Sequence, residues 1–227
     1  MSEAGSRILS SIRRGILHGN WKPGGKLQPA ALAEQFDTST TVVREALARL
    51  AGDGLVESER NRGFFVQKLD LRWLRDITEL RCVSEGLAAG LSVARGDLQW
   101  ESELIATHHH LARAKRRDPS DPEHITDEWA AAHKNFHAKL LSACDCPPMT
   151  KLAENLADST ELYRRWAAPS TAAGVRDVEQ EHLDILEAAL ARDADRLAAL
   201  LRAHYEATVQ VVLDAGLVAD ASAPAPA

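Results

Sequence analysis

Residues 38–66 (TSTTVVREALARLAGDGLVESERNRGFFV) constrain the fold most, because they predict one amphipathic helix followed by a short hairpin. Apolar residues recur at three- and four-residue spacing and predict one buried face, made of Val43, Ala46, Leu47 and Leu50. Asp53-Gly54 ends the helix, because glycine tolerates a positive φ. Two apolar runs, 55–56 and 64–66, then flank a basic turn at 60–63, as in a small β-hairpin. This order predicts a winged helix-turn-helix, in which the helix contacts DNA.

Polar side chains at the start of this helix and on the hairpin are candidate DNA contacts. Hydroxyl groups and the N-terminal end of a helix suit phosphates and base edges, and arginines neutralise the phosphate backbone. The candidates are Ser39, Thr40, Thr41, Arg44, Arg49, Arg60, Arg62 and Gly63. The alternative is that the helix is an ordinary amphipathic core helix of another fold.

The distribution of charge supports DNA binding by the front of the chain. A net charge of −6 over 227 residues argues against a nucleic-acid partner when the chain is taken whole. Residues 1–68, however, hold ten Lys and Arg against seven Asp and Glu, whereas residues 69–227 hold seventeen against twenty-six. The modest basic excess therefore lies where the DNA contacts are predicted.

The first third of the chain resembles the GntR family of bacterial repressors. Four stretches carry the resemblance: PGGKL at 23–27, ALAEQF at 31–36, VREALARLAGDGLV at 43–56 and RGFFV at 62–66. The resemblance implies a homodimer that binds a palindromic operator in double-stranded DNA. The chain departs from the family at Ser39-Thr40, where Ser-Arg is usual, and near Ala30, where a basic residue is usual. These departures leave the operator sequence open.

Helical periodicity dominates from residue 69 onward, so a mainly α-helical protein is expected. We divide the chain into a winged helix-turn-helix domain (1–68), an all-α domain (69–218) and a disordered tail (219–227). The pattern predicts helices at 6–17, 30–36, 71–94, 98–116, 123–143, 149–167, 178–191 and 194–215. Asp97 and Asp193 are the expected N-caps of two of them. The last six helices predict an antiparallel bundle, in which sites are built from inward-facing side chains.

Four histidines are candidate ligands of one metal ion. His133 and His137 are four residues apart on one predicted helix, so their imidazoles project from the same face. His182 and His204 lie on the last two predicted helices among apolar neighbours, so both are expected to point inward. Neutral imidazoles from three helices can close around a divalent cation, most readily Zn²⁺, with Ni²⁺ as the alternative. Taken alone, each histidine is more often a hydrogen-bonded core or surface residue.

The helical part resembles the FCD ligand-binding domain of the FadR-type branch of GntR proteins. The matching stretches are ELRCVSEGLAA at 79–89, Phe136-His137, EHLDILEAALARD at 181–193, and His204. The resemblance implies a metal held by one aspartate and by three histidines that match His137, His182 and His204. In this chain His133 replaces the aspartate, which makes the ligand shell more positive.

Arg81 is the candidate effector anchor. The resemblance implies that a small carboxylate effector occupies the open positions of the metal, and a guanidinium can hold a carboxylate bidentately. The alternative for Arg81 is a surface ion pair with Glu85, four residues further on. The family favours asparagine where Cys146 stands, so the other polar contacts of the effector stay open.

Two further clusters carry weaker signals. The consecutive residues His108, His109 and His110 face three directions on a helix, so we expect a solvated or partly buried face rather than a chelate. Cys144-Asp145-Cys146 has the composition of a metal-binding pair, but adjacent thiols in a short turn are more often incidental. Three cysteines fit reduced thiols, and neither a signal peptide nor an apolar run of about eighteen residues is present. We therefore expect a cytoplasmic protein without membrane contact.

Together these patterns predict a transcriptional regulator, acting as a repressor, whose operator affinity is controlled by a carboxylate effector at a metal site. A regulator that senses the metal itself, or whose metal is purely structural, remains an alternative. A metallohydrolase is the remote alternative, and an enzyme is not expected. Lys134 stands where the zincin pattern places its general base, and no nucleophile constellation accompanies the histidines.

Overall fold

The computed structural model describes residues 3–170 and 174–216. The predicted tail (219–227) and the last two residues of the predicted second domain lie outside these ranges. The described residues form a mainly α-helical protein, with a winged helix-turn-helix domain followed by a helical bundle. Among the described helices, none has the length and hydropathy needed to cross a bilayer.

The winged domain combines three helices with a small antiparallel sheet. Its helices are α1 (Glu3–Leu17), α2 (Pro29–Gln35) and α3 (Thr40–Gly52), and its strands are β1 (Lys26–Leu27), β2 (Val56–Glu59) and β3 (Gly63–Val66). The strand order is β1-β3-β2, and β2 and β3 form the predicted hairpin, with Glu59 opposite Gly63. The sequence pattern did not predict β1, because two residues carry no readable periodicity.

Helix α3 forms as its sequence predicts. Ser39 is the N-cap, and its Oγ accepts a hydrogen bond from the backbone N–H of Val42 at 3.3 Å. The predicted apolar face is fully buried at Val43, Ala46, Leu47 and Leu50. The helix ends at Gly52, and Gly54 two residues later has a φ of +75°. The positive φ explains the glycine at this position, since other residues rarely adopt it.

Within the described residues, the bundle contains six long helices, and its longest connection is residues 114–126. The helices are α4 (Leu71–Arg95), α5 (Leu98–Arg113), α6 (Asp127–Leu141), α7 (Pro147–Ala167), α8 (Val178–Leu190) and α9 (Ala194–Asp214). The predicted N-caps are confirmed, because Asp97 accepts from Trp100 N and Asp193 accepts from Arg196 N.

Four helices begin at residues other than those predicted. Helix α1 starts at Glu3 rather than at 6, and α2 starts at Pro29 rather than at 30. Helix α6 starts at Asp127 rather than at 123, because Thr126 is its N-cap and accepts a hydrogen bond from Trp129 N at 3.1 Å. Helix α7 starts at Pro147, two residues before the predicted start. Proline is tolerated in the first turn of a helix, where its missing N–H has no intrahelical partner to lose.

Helix α7 packs against both domains. Leu162 and Trp166 belong to the hydrophobic core of the winged domain. Tyr163 and Ala167 lie on another face and pack with Leu71 at the start of α4. The same helix therefore completes the winged core and joins the bundle, which places its polar residues at the junction of the two domains.

Candidate metal centre and its cavity

The structure brings the four predicted histidines together inside the bundle. His133 and His137 come from α6, His182 from α8 and His204 from α9, and all four are buried. One nitrogen from each ring can be chosen so that the four atoms lie within 4.8 Å of one another. Within the described residues this is the one group of side chains with this geometry. The i, i+4 spacing places His133 and His137 on one face of α6, and the packing of α8 and α9 brings His182 and His204 next to them.

Hydrogen bonds fix the orientation of three of these rings. His182 Nδ1 lies 2.7 Å from the carbonyl oxygen of Val178, and His204 Nδ1 lies 2.7 Å from Glu181 Oε2. Both oxygens only accept, so each Nδ1 carries the proton and each Nε2 keeps its lone pair. His137 Nδ1 lies 3.4 Å from Tyr205 Oη, which donates its own proton to Glu85 at 2.6 Å.

These bonds direct lone pairs toward a common point. His137 Nε2 and His182 Nε2 are 3.3 Å apart. Two nitrogens at about 2.05 Å from a tetrahedral Zn²⁺ would be separated by about 3.3 Å, so this spacing suits a bound ion. In metal sites the ring nitrogen that does not bind the ion commonly donates a hydrogen bond to a carboxylate or a carbonyl, as His204 does to Glu181.

Burial keeps the four imidazoles neutral. Burial lowers the pKa of His133, His137 and His204 well below 6.5, and nearby arginines and the other histidines, which would repel a protonated ring, lower it further. Burial also lowers the pKa of His182 to about 4. Neutral imidazole is the form that binds a metal, and the donor set therefore fits Zn²⁺ or Ni²⁺ at neutral pH.

A cavity of about 970 Å³ opens beside the cluster and extends to the winged domain. His133 and His137 line one end of it. The other end is lined by Arg13, Arg14 and Leu17, which belong to α1. The volume is ample for a small organic acid. One space is therefore bounded both by the candidate metal ligands and by the DNA-binding domain.

Arg81 lies in this cavity wall but is already paired. Its guanidinium donates to both oxygens of Glu85, at 2.6 and 3.2 Å, and to Thr160 Oγ1 at 3.0 Å, and it stacks on the ring of Tyr205 at 4.0 Å. The alternative pairing with Glu85 is therefore present, but it is buried rather than on the surface. A direct contact between Arg81 and an effector stays a prediction.

Ion pairs join α1 to the bundle at the far end of the cavity. Arg13 pairs with Glu161 of α7 at 2.6 Å, and Arg14 pairs with Asp127 of α6 at 3.2 Å. Arg165 contacts both carboxylates, at 3.1 Å for Glu161 and 2.9 Å for Asp127. Although burial disfavours its charged form, the neighbouring guanidiniums lower the pKa of Glu161 below 4.5. The network is therefore charged at neutral pH.

The predicted DNA contacts occupy exposed positions on α3 and on the hairpin. All are exposed except Gly63, which is half-buried: Ser39, Thr40, Thr41, Arg44, Arg49, Arg60 and Arg62. Arg62 is paired with Glu59 and lies 5.6 Å from the ring of Phe65. The positive charge of Arg62 is therefore partly offset, whereas no ion pair is recorded for Arg44 or Arg49 among the described residues.

The remaining clusters do not join the histidine site. His108 is half-buried edge-on to Phe136 at 5.5 Å, while His109 and His110 are exposed, as expected for a partly buried face. Cys144 is buried and Cys146 is half-buried, and both are free thiols.

The sequence pattern missed Glu181, which precedes His182 directly. Its spacing alone does not reveal that it reaches His204 on the next helix.

Comparisons with known protein families agree with this architecture. A model described as "Bacterial regulatory proteins, gntR family" matches residues 4–66, and a model of the FCD domain matches residues 76–207. The "Uncharacterized HTH-type transcriptional regulator BphR" of Paraburkholderia xenovorans is 35% identical over 91% of this chain and 84% of its own length. The "HTH-type transcriptional repressor GlaR" of Escherichia coli is 28% identical over 90% of this chain and 93% of its own length.

Solved structures show the same fold. E. coli McbR/YncC has a TM-score of 0.74 at 21% identity and covers 94% of this chain and 98% of its own. A regulator described as GntR from Rhodococcus sp. RHA1 has a TM-score of 0.69 at 23% identity, with coverage of 93% and 98%. At these identities the likeness concerns the fold alone.

Proposed function

The chain belongs to the GntR family of bacterial regulatory proteins, and we propose that it is a repressor released from its operator by a small carboxylate. The carboxylate binds in the cavity beside a divalent metal, Zn²⁺ or alternatively Ni²⁺, held by His133, His137, His182 and His204. When bound, the metal supplies a Lewis-acidic centre that attracts a carboxylate. The observation that carries the proposal is that one cavity is lined both by two of these ligands, His133 and His137, and by α1 of the DNA-binding domain.

The ion pairs of α1 supply the route from the cavity to DNA. A ligand can change operator affinity only if it binds one domain arrangement more tightly than another. Arg13 and Arg14 line the cavity and also hold α1 to Glu161 and Asp127. A negative charge added to this cavity attracts the arginines and repels Glu161 and Asp127, and it therefore favours arrangements in which α1 is less firmly held.

An exposed apolar stripe on α4 supports a homodimer. Leu80, Val83 and Leu87 are 45%, 59% and 59% exposed and follow one another at helical spacing on one face. Covering such a stripe with the same stripe of a second copy forms a two-fold interface. Two winged domains related by a two-fold axis suit a palindromic operator.

A DNA-binding titration tests the proposal. The purified protein is titrated with fragments of its own promoter, with and without chelator, and then with small carboxylates. We expect release by a carboxylate only in the metal-loaded protein. Equal affinity for promoter and random duplex at low ionic strength would overturn the proposal.

The candidate DNA contacts are tested through salt dependence. Arg44→Ala and Arg49→Ala each remove a cation from the exposed face of α3, so each should weaken binding and reduce the slope of log K against log salt by about 1. Lys151→Ala, on an exposed part of α7, is the matched control. Unchanged slopes in both α3 variants would show that neither arginine contacts phosphate.

A second candidate is a regulator that responds to the metal itself or holds it for structure. Four imidazoles complete a tetrahedral shell, and a closed shell is typical of structural zinc sites. In that case metal alone changes DNA affinity, or affects only stability, and carboxylates have no effect. The same titration separates the two candidates.

A further inference from the structure

One cationic side chain in the cavity forms no ion pair among the described residues. Six other cationic residues of the cavity wall each form an ion pair: Arg13, Arg14, Arg81, Lys134, Lys139 and Arg165. Arg164 on α7 also lines the cavity, yet among the described residues it has neither an ion pair nor a hydrogen bond. Its guanidinium is therefore the uncommitted cation of this wall.

Arg164 lies at the histidine end of the cavity. Arg164 follows Thr160 by four residues, so the two side chains share one face of α7. Thr160 contacts Arg81, and Glu85, the partner of Arg81, accepts a hydrogen bond from Tyr205 beside His137. Glu161 is the acidic group with the largest effect on Arg164, but the oxygens of Glu161 are bonded to Arg13 and Arg165. Burial lowers the pKa of Arg164 to about 10, so the group stays charged at neutral pH.

The charges at this end of the cavity leave an anion to be supplied from outside. Four neutral imidazoles contribute no negative charge, and the two carboxylates near them are each paired, Glu85 with Arg81 and Glu181 with Arg176. Arg164 is half-buried, so its guanidinium has lost part of its hydration, and an anion that enters the cavity can replace it. Such a group is suited to a ligand that brings the missing charge, because planar guanidinium binds carboxylate with two parallel hydrogen bonds.

We propose that Arg164, rather than Arg81, is the residue that binds the carboxylate of the effector. This inference rests on the proposed function and specifies the contact that selects an organic acid. Arg81 then has a different role: with Glu85, Thr160 and Tyr205 it forms a pre-paired wall that holds the α4 side of the cavity.

The test compares three variants of the full-length, metal-loaded protein. Arg164→Gln removes the charge, Arg164→Lys keeps the charge but removes the planar fork, and Lys151→Gln removes one charge from an exposed site on the same helix. Binding of acetate, succinate and citrate is measured by calorimetry, metal content by mass spectrometry, and Tm without ligand. Promoter binding is measured in parallel.

For Arg164→Gln we expect carboxylate affinity at least about tenfold lower, with metal content and promoter affinity unchanged. Arg164→Lys should show an intermediate loss, and Lys151→Gln none. The Tm of Arg164→Gln without ligand should equal or exceed that of the parent protein, because an unmatched charge has been removed. If Arg164 served only to stabilise the fold, Arg164→Gln would lower the Tm.

The other outcomes separate the two proposals. If Arg164→Gln binds carboxylates as tightly as the parent protein, the proposed role of Arg164 is wrong, but the proposal that the protein responds to a carboxylate is not affected. A fall in Tm of several degrees for Arg164→Gln identifies a structural residue and overturns the anchor as well. If the parent protein binds none of the three acids at millimolar concentration, carboxylate sensing itself fails, and the anchor fails with it.

Discussion

At the junction between the winged domain and the bundle, the guanidiniums of the cavity wall are paired with carboxylates, whereas at the histidine end Arg164 forms no ion pair among the described residues. Arg13, Arg165 and Glu161 form a connected network at the first end. The second end holds neutral imidazoles and the unmatched Arg164. The difference separates two tasks. Paired charges hold the domains together, and the end without counter-charge is available to a metal and an anion.

Removing a histidine tests the second end most directly. His137→Ala and His204→Ala each delete one of four donors, so metal affinity should fall by more than about 100-fold, exceeding the loss from changing a group that only supports a ligand. Bound metal, measured by mass spectrometry, should drop well below one ion per chain. His109→Ala, an exposed position on α5, should retain the metal of the parent protein. Full metal content in both cluster variants would exclude the site.

The two arginines of the cavity should respond oppositely to the same substitution. Arg81→Gln leaves Glu85 buried without its partner, and breaking a buried pair costs about 3–5 kcal/mol. Arg164→Gln removes a cation that forms no ion pair among the described residues, so the free energy of unfolding should not fall. Urea denaturation of both variants measures the contrast. Equal destabilisation would show that Arg164 has a structural partner.

The neutral imidazoles predict a pH dependence of stability in the metal-free protein. The pKa of each cluster histidine is lower in the folded than in the unfolded state, so the unfolded state binds more protons below pH 6.5. The contribution of these histidines to the free energy of unfolding is therefore fully present above pH 6.5. It falls with decreasing pH, by up to about 1.4 kcal/mol per pH unit for each histidine.

Urea midpoints between pH 7 and 5, measured with chelator, check this slope. In this window Glu161 and Asp127 stay ionised, since both have a lowered pKa. His182→Gln should make the slope shallower. A flat profile would mean that the cluster is open to water.

Only a small loss of stability is expected at the junction. Arg13→Ala breaks pairs that are partly exposed, with 26% of the Arg13 side chain accessible, so the loss should be about 1 kcal/mol or less. The effect on regulation should be larger, and the ratio of operator affinities without and with carboxylate should shrink several-fold. Arg7→Ala, exposed on the same helix, is the control. An unchanged ratio would show that the signal passes elsewhere.

Local patterns predicted much of the fold and part of the site. The buried face of α3, the caps at Asp97 and Asp193, and the pairing of His133 with His137 all depend on residues within four positions of each other. The Arg13–Glu161 pair joins residues 148 positions apart and has no local signature. The unmatched state of Arg164 is harder still to predict, because it depends on where every neighbouring carboxylate is engaged.

Helix α1 contributes Arg13, Arg14 and Leu17 to the wall of the cavity, so the DNA-binding domain forms part of the site that we propose for the effector. This limits modular engineering. A chimeric biosensor in which another protein's DNA-binding domain replaces this winged domain would lose the part of the cavity wall formed by α1 as well as the promoter preference. The effector concentration that gives half-maximal response would therefore change when the DNA-binding domain is exchanged. A chimera that keeps α1 with the bundle avoids this change.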